Sequence, residues 1–148
     1  MPQVKPVPDG HHSVQPYLIF NDAAAAIAFC VQAFGAKELF RMPGPDGRIG
    51  HAEIQIGDSI IMLADEAPPM DAFSPAHFGG SPVSLLIYTA DCDALYAQAL
   101  AAGASSLRPP ADQPYGDRMS GVQDPFGYKW YIATHIKDMS HEELAALS

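Results

Sequence analysis

The sequence predicts an α+β domain built from two similar halves, and three observations predict it. Phe34-Gly35-Ala36 closes one helical stretch and Ala102-Gly103-Ala104 closes another. A β-like run precedes each helix, Val14 to Phe20 in one case and Val83 to Thr89 in the other, with an acidic cap between run and helix. Further strand-like runs and a glycine turn follow each helix. The order strand–helix–strands, stated twice, sets two sheets side by side around a cleft, and function is to be sought in that cleft.

The first half justifies itself element by element. Residues 1–13 read as a Pro-rich, polar, flexible arm. Val14 to Phe20 alternates faces as a strand does, with Gln15, Tyr17 and Ile19 on one side. Asn21 or Asp22 caps a helix whose buried stripe is Ile27, Cys30, Val31 and Phe34, and Gly35 ends it. Lys37 to Met42 is a strand, and Pro43-Gly-Pro-Asp-Gly47 is a turn in which proline fixes φ and glycine permits positive φ. Arg48 to Ile56 and Ser59 to Asp65 are strands joined at Gly57-Asp58. Residues 14–66 form this first module.

A Pro/Gly/Ala-rich connection, 67–81 after Glu66, separates the halves as a linker or a lid. The second module spans 82–136. Its strand Val83 to Thr89 puts Ser84, Leu86 and Tyr88 on one face. Asp91 or Asp93 caps a helix carrying Cys92, Leu95, Tyr96 and Ala99. Ala104 to Leu107 is a short strand and Pro109 to Gly116 a Pro-rich loop. Met119 to Gln123 and Tyr128 to His135 form a hairpin around Asp124-Pro-Phe-Gly127. Within 137–148, Ser140-His-Glu-Glu143 is a capping box for a last short helix.

Composition narrows the function. The chain has 148 residues and a formal net charge of -9, which opposes a nucleic-acid surface and binding to anionic membranes. No run approaches the ~18 apolar residues of a membrane span. The two cysteines, Cys30 and Cys92, fall on apolar helix faces and read as buried small hydrophobes, which fits a reducing cytoplasm. No secretory apolar region stands at the N-terminus.

Tyr17-Leu-Ile-Phe-Asn-Asp22 before an Ala-rich helix, Ala33-Phe-Gly-Ala36 and Asp124-Pro-Phe-Gly-Tyr-Lys-Trp130 carry a family likeness from about Val14 to His135. The chain resembles the vicinal oxygen chelate superfamily, which includes glyoxalase I, bleomycin-resistance proteins, fosfomycin-resistance enzymes and extradiol dioxygenases. Pro43-Gly-Pro-Asp-Gly-Arg-Ile-Gly-His-Ala-Glu53 and Tyr115-Gly-Asp-Arg118 are most similar to its bacterial demethylubiquinone methyltransferase-like branch. The resemblance implies paired βαβββ modules, two curved mixed sheets around a cleft, and a homodimer. It also implies metal-ligand positions on the first and fourth strands of each module. These fall on Gln15, Met62, Ser84 and Tyr131. Gln can serve there, but Met, Ser and neutral Tyr are poor partners for a hard divalent ion, so the expectation is no metal cofactor.

Strand alternation selects the other candidates. Ala52, Ile54 and Ile56 take the helix-facing side, which turns His51, Glu53 and Gln55 toward the cavity. His51 and Glu53 read as a solvated or hydrogen-bonded pair at the rim, with ligand contact and metal donation as alternatives. Arg118 is a clamp for a carboxylate or phosphate, or the partner of Asp117 or Asp124. Tyr131 offers its hydroxyl to a substrate oxygen or fills the space of a metal. Trp130 belongs to the core and Met62 to the cavity wall or core. His11 and His12 in the arm read as solvated, and His77 as an exposed loop residue. The ligand set is therefore Gln15, Tyr17, His51, Glu53, Met62, Ser84, Tyr88, Arg118 and Tyr131. The expected function is binding of a small organic ligand in the cleft without a metal. The alternatives are a metal-dependent lyase, isomerase or dioxygenase, and a dimerisation module with no active pocket.

Overall fold

The computed structural model describes residues 3–147. Among these residues two four-stranded mixed sheets, four α-helices and two short 3-10 turns make up the regular structure, and the chain divides between Phe78 and Gly79 into two compact units.

In the first unit, β1 (Tyr17–Phe20), β2 (Lys37–Pro43), β3 (Ile49–Ile56) and β4 (Ser59–Asp65) pair in the order β1-β4-β3-β2. The β1–β4 pairing is parallel and the others antiparallel. Helix α1 (Ala23–Phe34) covers one face. Asp22, not Asn21, is its cap, accepting from the Ala25 amide at 3.0 Å. Gly35 ends it at φ 67°, a left-handed conformation that glycine adopts without cost. Its buried Ile27, Phe29, Cys30 and Phe34 pack against Leu18, Phe20, Ile54 and Leu63 of the sheet. The buried Asp65 carboxylate joins these layers. It accepts from the Ala23 amide at the start of α1 (2.8 Å) and from the Ile49 amide at the start of β3 (2.7 Å).

The second unit repeats the plan with β5 (Ser84–Tyr88), β6 (Ser105–Asp112), β7 (Asp117–Gln123) and β8 (Lys129–His135) in the order β5-β8-β7-β6. Helix α3 (Cys92–Ala101) lies on one face, capped by Asp91 rather than Asp93. Here Thr134 stands where Asp65 stands in the first unit. Its hydroxyl accepts from the Cys92 amide (2.9 Å) and donates to the Thr89 carbonyl (2.8 Å). Trp130, Val122 and Ile132 form the centre of this core, as the strand pattern requires. The Asp124-Pro-Phe-Gly turn is held by one buried carboxylate. Asp124 accepts from the amides of Phe126 and Tyr128 and from the Trp130 indole, each at 2.9 Å. Both cysteines are free and buried.

Several boundaries move. The first strand starts at Tyr17 rather than Val14, so Gln15 lies just before it. Strand β6 continues through Pro109 and Pro110 to Asp112, where a loop was expected. It is an edge strand, and the prolines fall in the register shift between Arg108 and Ala111, both settings in which a missing amide donor is tolerated. The connection after Glu66 is not structureless: a 3-10 turn (Pro68–Met70) and the short helix α2 (Pro75–Phe78) occupy it. The Glu66 carboxylate receives the Ser74 amide and hydroxyl, fixing the segment's start to its middle. The expected capping box is present at α4 (His141–Ala145).

Both sheets carry an irregularity at the same place. Register shifts lie between Glu38 and Phe40 in β2, and between Ser106 and Arg108 in β6. Leu39 and Leu107 are the extra residues. Each bulge moves the next residue to the sheet face away from the helix, because one inserted residue reverses the alternation. Phe40 thereby stands opposite Glu53, and Arg108 opposite Gly121.

Candidate functional site

The strand face of the first unit gathers a polar centre inside an apolar frame. One row runs across the sheet in register: Tyr17 on β1, Met62 on β4, Glu53 on β3 and Phe40 on β2. His51, with Met42 opposite it, belongs to the same face. Ala52, Ile54 and Ile56 are buried on the other face, against α1. The alternation read from the sequence thus places His51 and Glu53 correctly.

These side chains form a continuous hydrogen-bonded chain. The Tyr17 hydroxyl lies 2.8 Å from His51 Nδ1. His51 Nε2 lies 2.9 Å from Glu53 Oε2. Glu53 Oε1 lies 3.1 Å from His11 Nε2, and His11 Nδ1 lies 3.2 Å from the Asp9 carbonyl. Glu53 is only 7 % exposed, so its carboxyl group is shared between two imidazoles rather than by water. His11 overturns the expectation of a solvated arm. The arm lies along the sheet, and no local signal ties His11 to a glutamate in β3. Gln15 helps hold it there, its side-chain oxygen accepting from the His12 amide.

The donors and acceptors fix where protons sit. A carbonyl only accepts, so His11 Nδ1 carries a hydrogen. The His11–Glu53 contact then holds one further proton, on Nε2 beside a carboxylate or on Oε1 beside a neutral imidazole. Burial and the negative charge of Glu53 raise the Tyr17 phenol above its ordinary value, so its hydroxyl stays protonated at neutral pH. The chain ends at that hydroxyl, on a residue 49 % exposed. With His51 Nδ1 as the donor, the hydroxyl keeps its hydrogen for a bound molecule; with Nδ1 as the acceptor, it accepts from one and hands its own hydrogen inward to His51. Around it Phe40 is 44 % and Met42 53 % exposed, and the rings of Tyr17 and Phe40 lie 5.4 and 5.8 Å from the His51 ring. Large apolar side chains left open beside a buried polar centre are what a small organic ligand requires.

The second unit answers with different residues. Tyr88 donates to Asp117 Oδ2 at 2.8 Å, and His135 Nδ1 lies 2.8 Å from Asp117 Oδ1. His135 Nε2 meets Asp138 at 2.7 Å. Asp117, then Asp138, hold the His135 imidazole above its ordinary value, and the bond to Asp117 raises the Tyr88 phenol. The Tyr131 ring lies over Gly121, where an added Cβ would stand 3.0 Å from two ring carbons. Ser84 begins β5 on this face, paired with Lys129. Arg118 does not join them. Its register with Thr134 puts it on the helix side, where Asp93 at 2.7 Å and Asp112 at 3.0 Å hold it. Neither of the partners considered from the sequence, Asp117 and Asp124, is the one it takes.

The four positions the family's metal would use do not suit a divalent ion. Met62 and Tyr131 offer a thioether and a phenol, Ser84 a hydroxyl, and the Gln15 oxygen already accepts a backbone hydrogen bond. Among the described residues, no three His, Cys, Asp or Glu side chains are arranged to hold a metal ion.

Comparison with known proteins agrees with this architecture. The sequence model of the glyoxalase/bleomycin resistance protein/dioxygenase superfamily matches residues 11–132. An uncharacterized protein of Mycobacterium bovis is 39% identical over 137 residues, covering 90% of each chain. The crystal structure of TioX from Micromonospora sp. ML1 superposes with a TM-score of 0.66 at 26% identity, over 87% of this chain and all of that one (100%). A putative 3-demethylubiquinone-9 3-methyltransferase, PhnB protein, from Bacillus cereus shares the fold, with a TM-score of 0.63 at 18% identity over 83% of this chain and 99% of that chain. Two βαβββ units in series, with this match across most of the length, place the chain in the glyoxalase/bleomycin resistance protein/dioxygenase superfamily.

Proposed function

We propose that the chain binds a small organic molecule on the strand face of its first unit, without a resident metal. The observation that carries this reading is the Tyr17–His51–Glu53–His11 chain, ending at an open hydroxyl between Phe40, Met42 and Met62. The apolar side chains supply contact area, and the hydroxyl and imidazole supply direction. A ligand oxygen or nitrogen takes the Tyr17 hydrogen bond when His51 Nδ1 donates to the hydroxyl; when Nδ1 accepts instead, a ligand proton has a path through Tyr17 and His51 toward Glu53. The same reading takes the protein to be a homodimer, supported by the edges of β2 and β6, which pair with no further strand among the described residues.

The test is a thermal-shift panel of small aromatic and heteroaromatic compounds, together with metal analysis of protein purified without chelator. Expected are compounds that raise the melting temperature of the wild type and lose the effect in Tyr17→Phe and Phe40→Ala. Stoichiometric metal that survives dialysis, with compounds binding only in its presence, overturns the metal-free reading. Compounds that bind both variants as they bind the wild type overturn the location.

A further inference from the structure

We propose that Arg108 and Tyr131 form a second recognition site, on the strand face of the second unit, for a carboxylate-bearing organic anion. The argument starts from the paired bulges. In the first unit the bulge at Leu39 delivers Phe40 to the strand face, opposite Glu53 and beside His51. In the second unit the bulge at Leu107 delivers Arg108 to the corresponding place, opposite Gly121. Regular alternation would have put Leu107 on this face and turned Arg108 toward α3, where Ser106 receives the Tyr96 hydroxyl. The irregularity therefore selects which side chain the face presents, and it selects a guanidinium.

Gly121 leaves room for the Arg108 stem and the Tyr131 ring to approach the same spot on this face. The Tyr131 ring lies over the glycine, and the Arg108 Cγ stands 3.5 Å from the place a Cβ would occupy. Any larger residue at this position would push the two side chains apart. Arg41, Arg48 and Arg118 are all paired with carboxylates. Among the described residues, neither the Arg108 guanidinium nor the Tyr131 hydroxyl has a hydrogen-bond or ion-pair partner. Asp117, an acid on the same face, is committed to Tyr88 and His135. Arg108 is exposed and couples electrostatically to the Tyr115 phenol; with no carboxylate paired to it, its guanidinium and the nearby Tyr131 hydroxyl offer donors to an anionic acceptor. The guanidinium fits a carboxylate in bidentate fashion and the phenol donates a third hydrogen bond. Leu86, in register with Tyr131 and open to solvent, gives the ligand's body an apolar surface. This site does not rest on the reading of the first unit.

The experiment is a titration of isotope-labelled protein with benzoate, followed by amide and side-chain NMR, with benzamide as the uncharged isostere. Benzoate is expected to shift the resonances of Arg108, Gly121 and Tyr131, and benzamide to leave them in place. Arg108→Gln should weaken benzoate about tenfold or more, the size of losing a charge-assisted pair, and Arg108→Lys should weaken it less. Tyr131→Phe should lower affinity while preserving the preference for the anion. Arg41→Gln, at an arginine of the other unit that is already paired with Glu38, should change nothing. Equal shifts from benzamide, or benzoate affinity unchanged in Arg108→Gln, overturn the proposal.

Discussion

Replacing Asp65 tests how the fold positions the first site. One buried carboxylate fastens the start of α1 to the start of β3, the strand that carries His51 and Glu53. Asp65→Ala leaves the Ala23 and Ile49 amides without their acceptor. Each buried unpaired donor costs about 1–3 kcal/mol. The Arg48 contact, at 3.3 Å from a half-exposed side chain, adds little. We expect a loss of about 3–4 kcal/mol, seen as a lower urea midpoint at constant slope and a melting temperature lower by about 6–16 °C. Asp65→Asn keeps one acceptor oxygen and should lose about half as much. Asp22→Ala, at the solvent-exposed cap of the same helix, is the internal standard at about 1 kcal/mol. If Asp65→Ala costs no more than Asp22→Ala, the carboxylate does not join helix and strand as described.

Other perturbations follow from the same contacts. His135 should titrate above its ordinary range by NMR, and Asp138→Asn should lower it; because the folded value is raised, its stabilisation is complete below about pH 6.5 and is lost as pH rises through the folded value. Burial pushes the Asp124 carboxyl up despite its hydrogen bonds, so its share of stability is greatest below about pH 4 and falls as pH rises through the raised value. The gap in unfolding free energy between wild type and Asp124→Asn should narrow over that interval, and a widening gap would contradict the assignment. Gly116 sits at φ +99° with the Lys137 carbonyl where a Cβ would go, so Gly116→Ala should destabilise the second unit by more than about 1 kcal/mol. Gly35→Ala, with open space around it, should cost only about that much.

The sequence carries the two modules because each is punctuated by local chemistry. Asp22 and Asp91 start the helices, Gly35 and Gly103 follow them, and Asp124 closes the last hairpin on its own neighbours. Period-two alternation separates Ala52, Ile54 and Ile56 from His51 and Glu53 without tertiary information. What escapes sequence reasoning is non-local. The bulges at Leu39 and Leu107 bear no glycine or proline to announce them, yet they decide the faces of Phe40 and Arg108. His11 reaches Glu53 across more than forty residues (|i−j| = 42), and its neighbours read only as a polar arm. Arg118 reads as a ligand clamp or as the partner of the nearby Asp117 or Asp124, and only register with Thr134 reveals that it faces the acids Asp93 and Asp112. The two prolines of β6 argue for a loop until the strand is known to be an edge.

The most direct test of the central claim uses the methionines as reporters. Met42 and Met62 lie on the strand face of the first unit, and Met70 lies outside it, exposed in the segment after β4. With methyl-labelled methionine, a small-molecule ligand found by thermal shift should move the Met42 and Met62 signals and leave Met70 in place. It should lose that effect when Glu53→Ala removes the bridge to His11 and His51. A ligand that leaves Met42 and Met62 unmoved, or moves them equally in Glu53→Ala, would contradict the account.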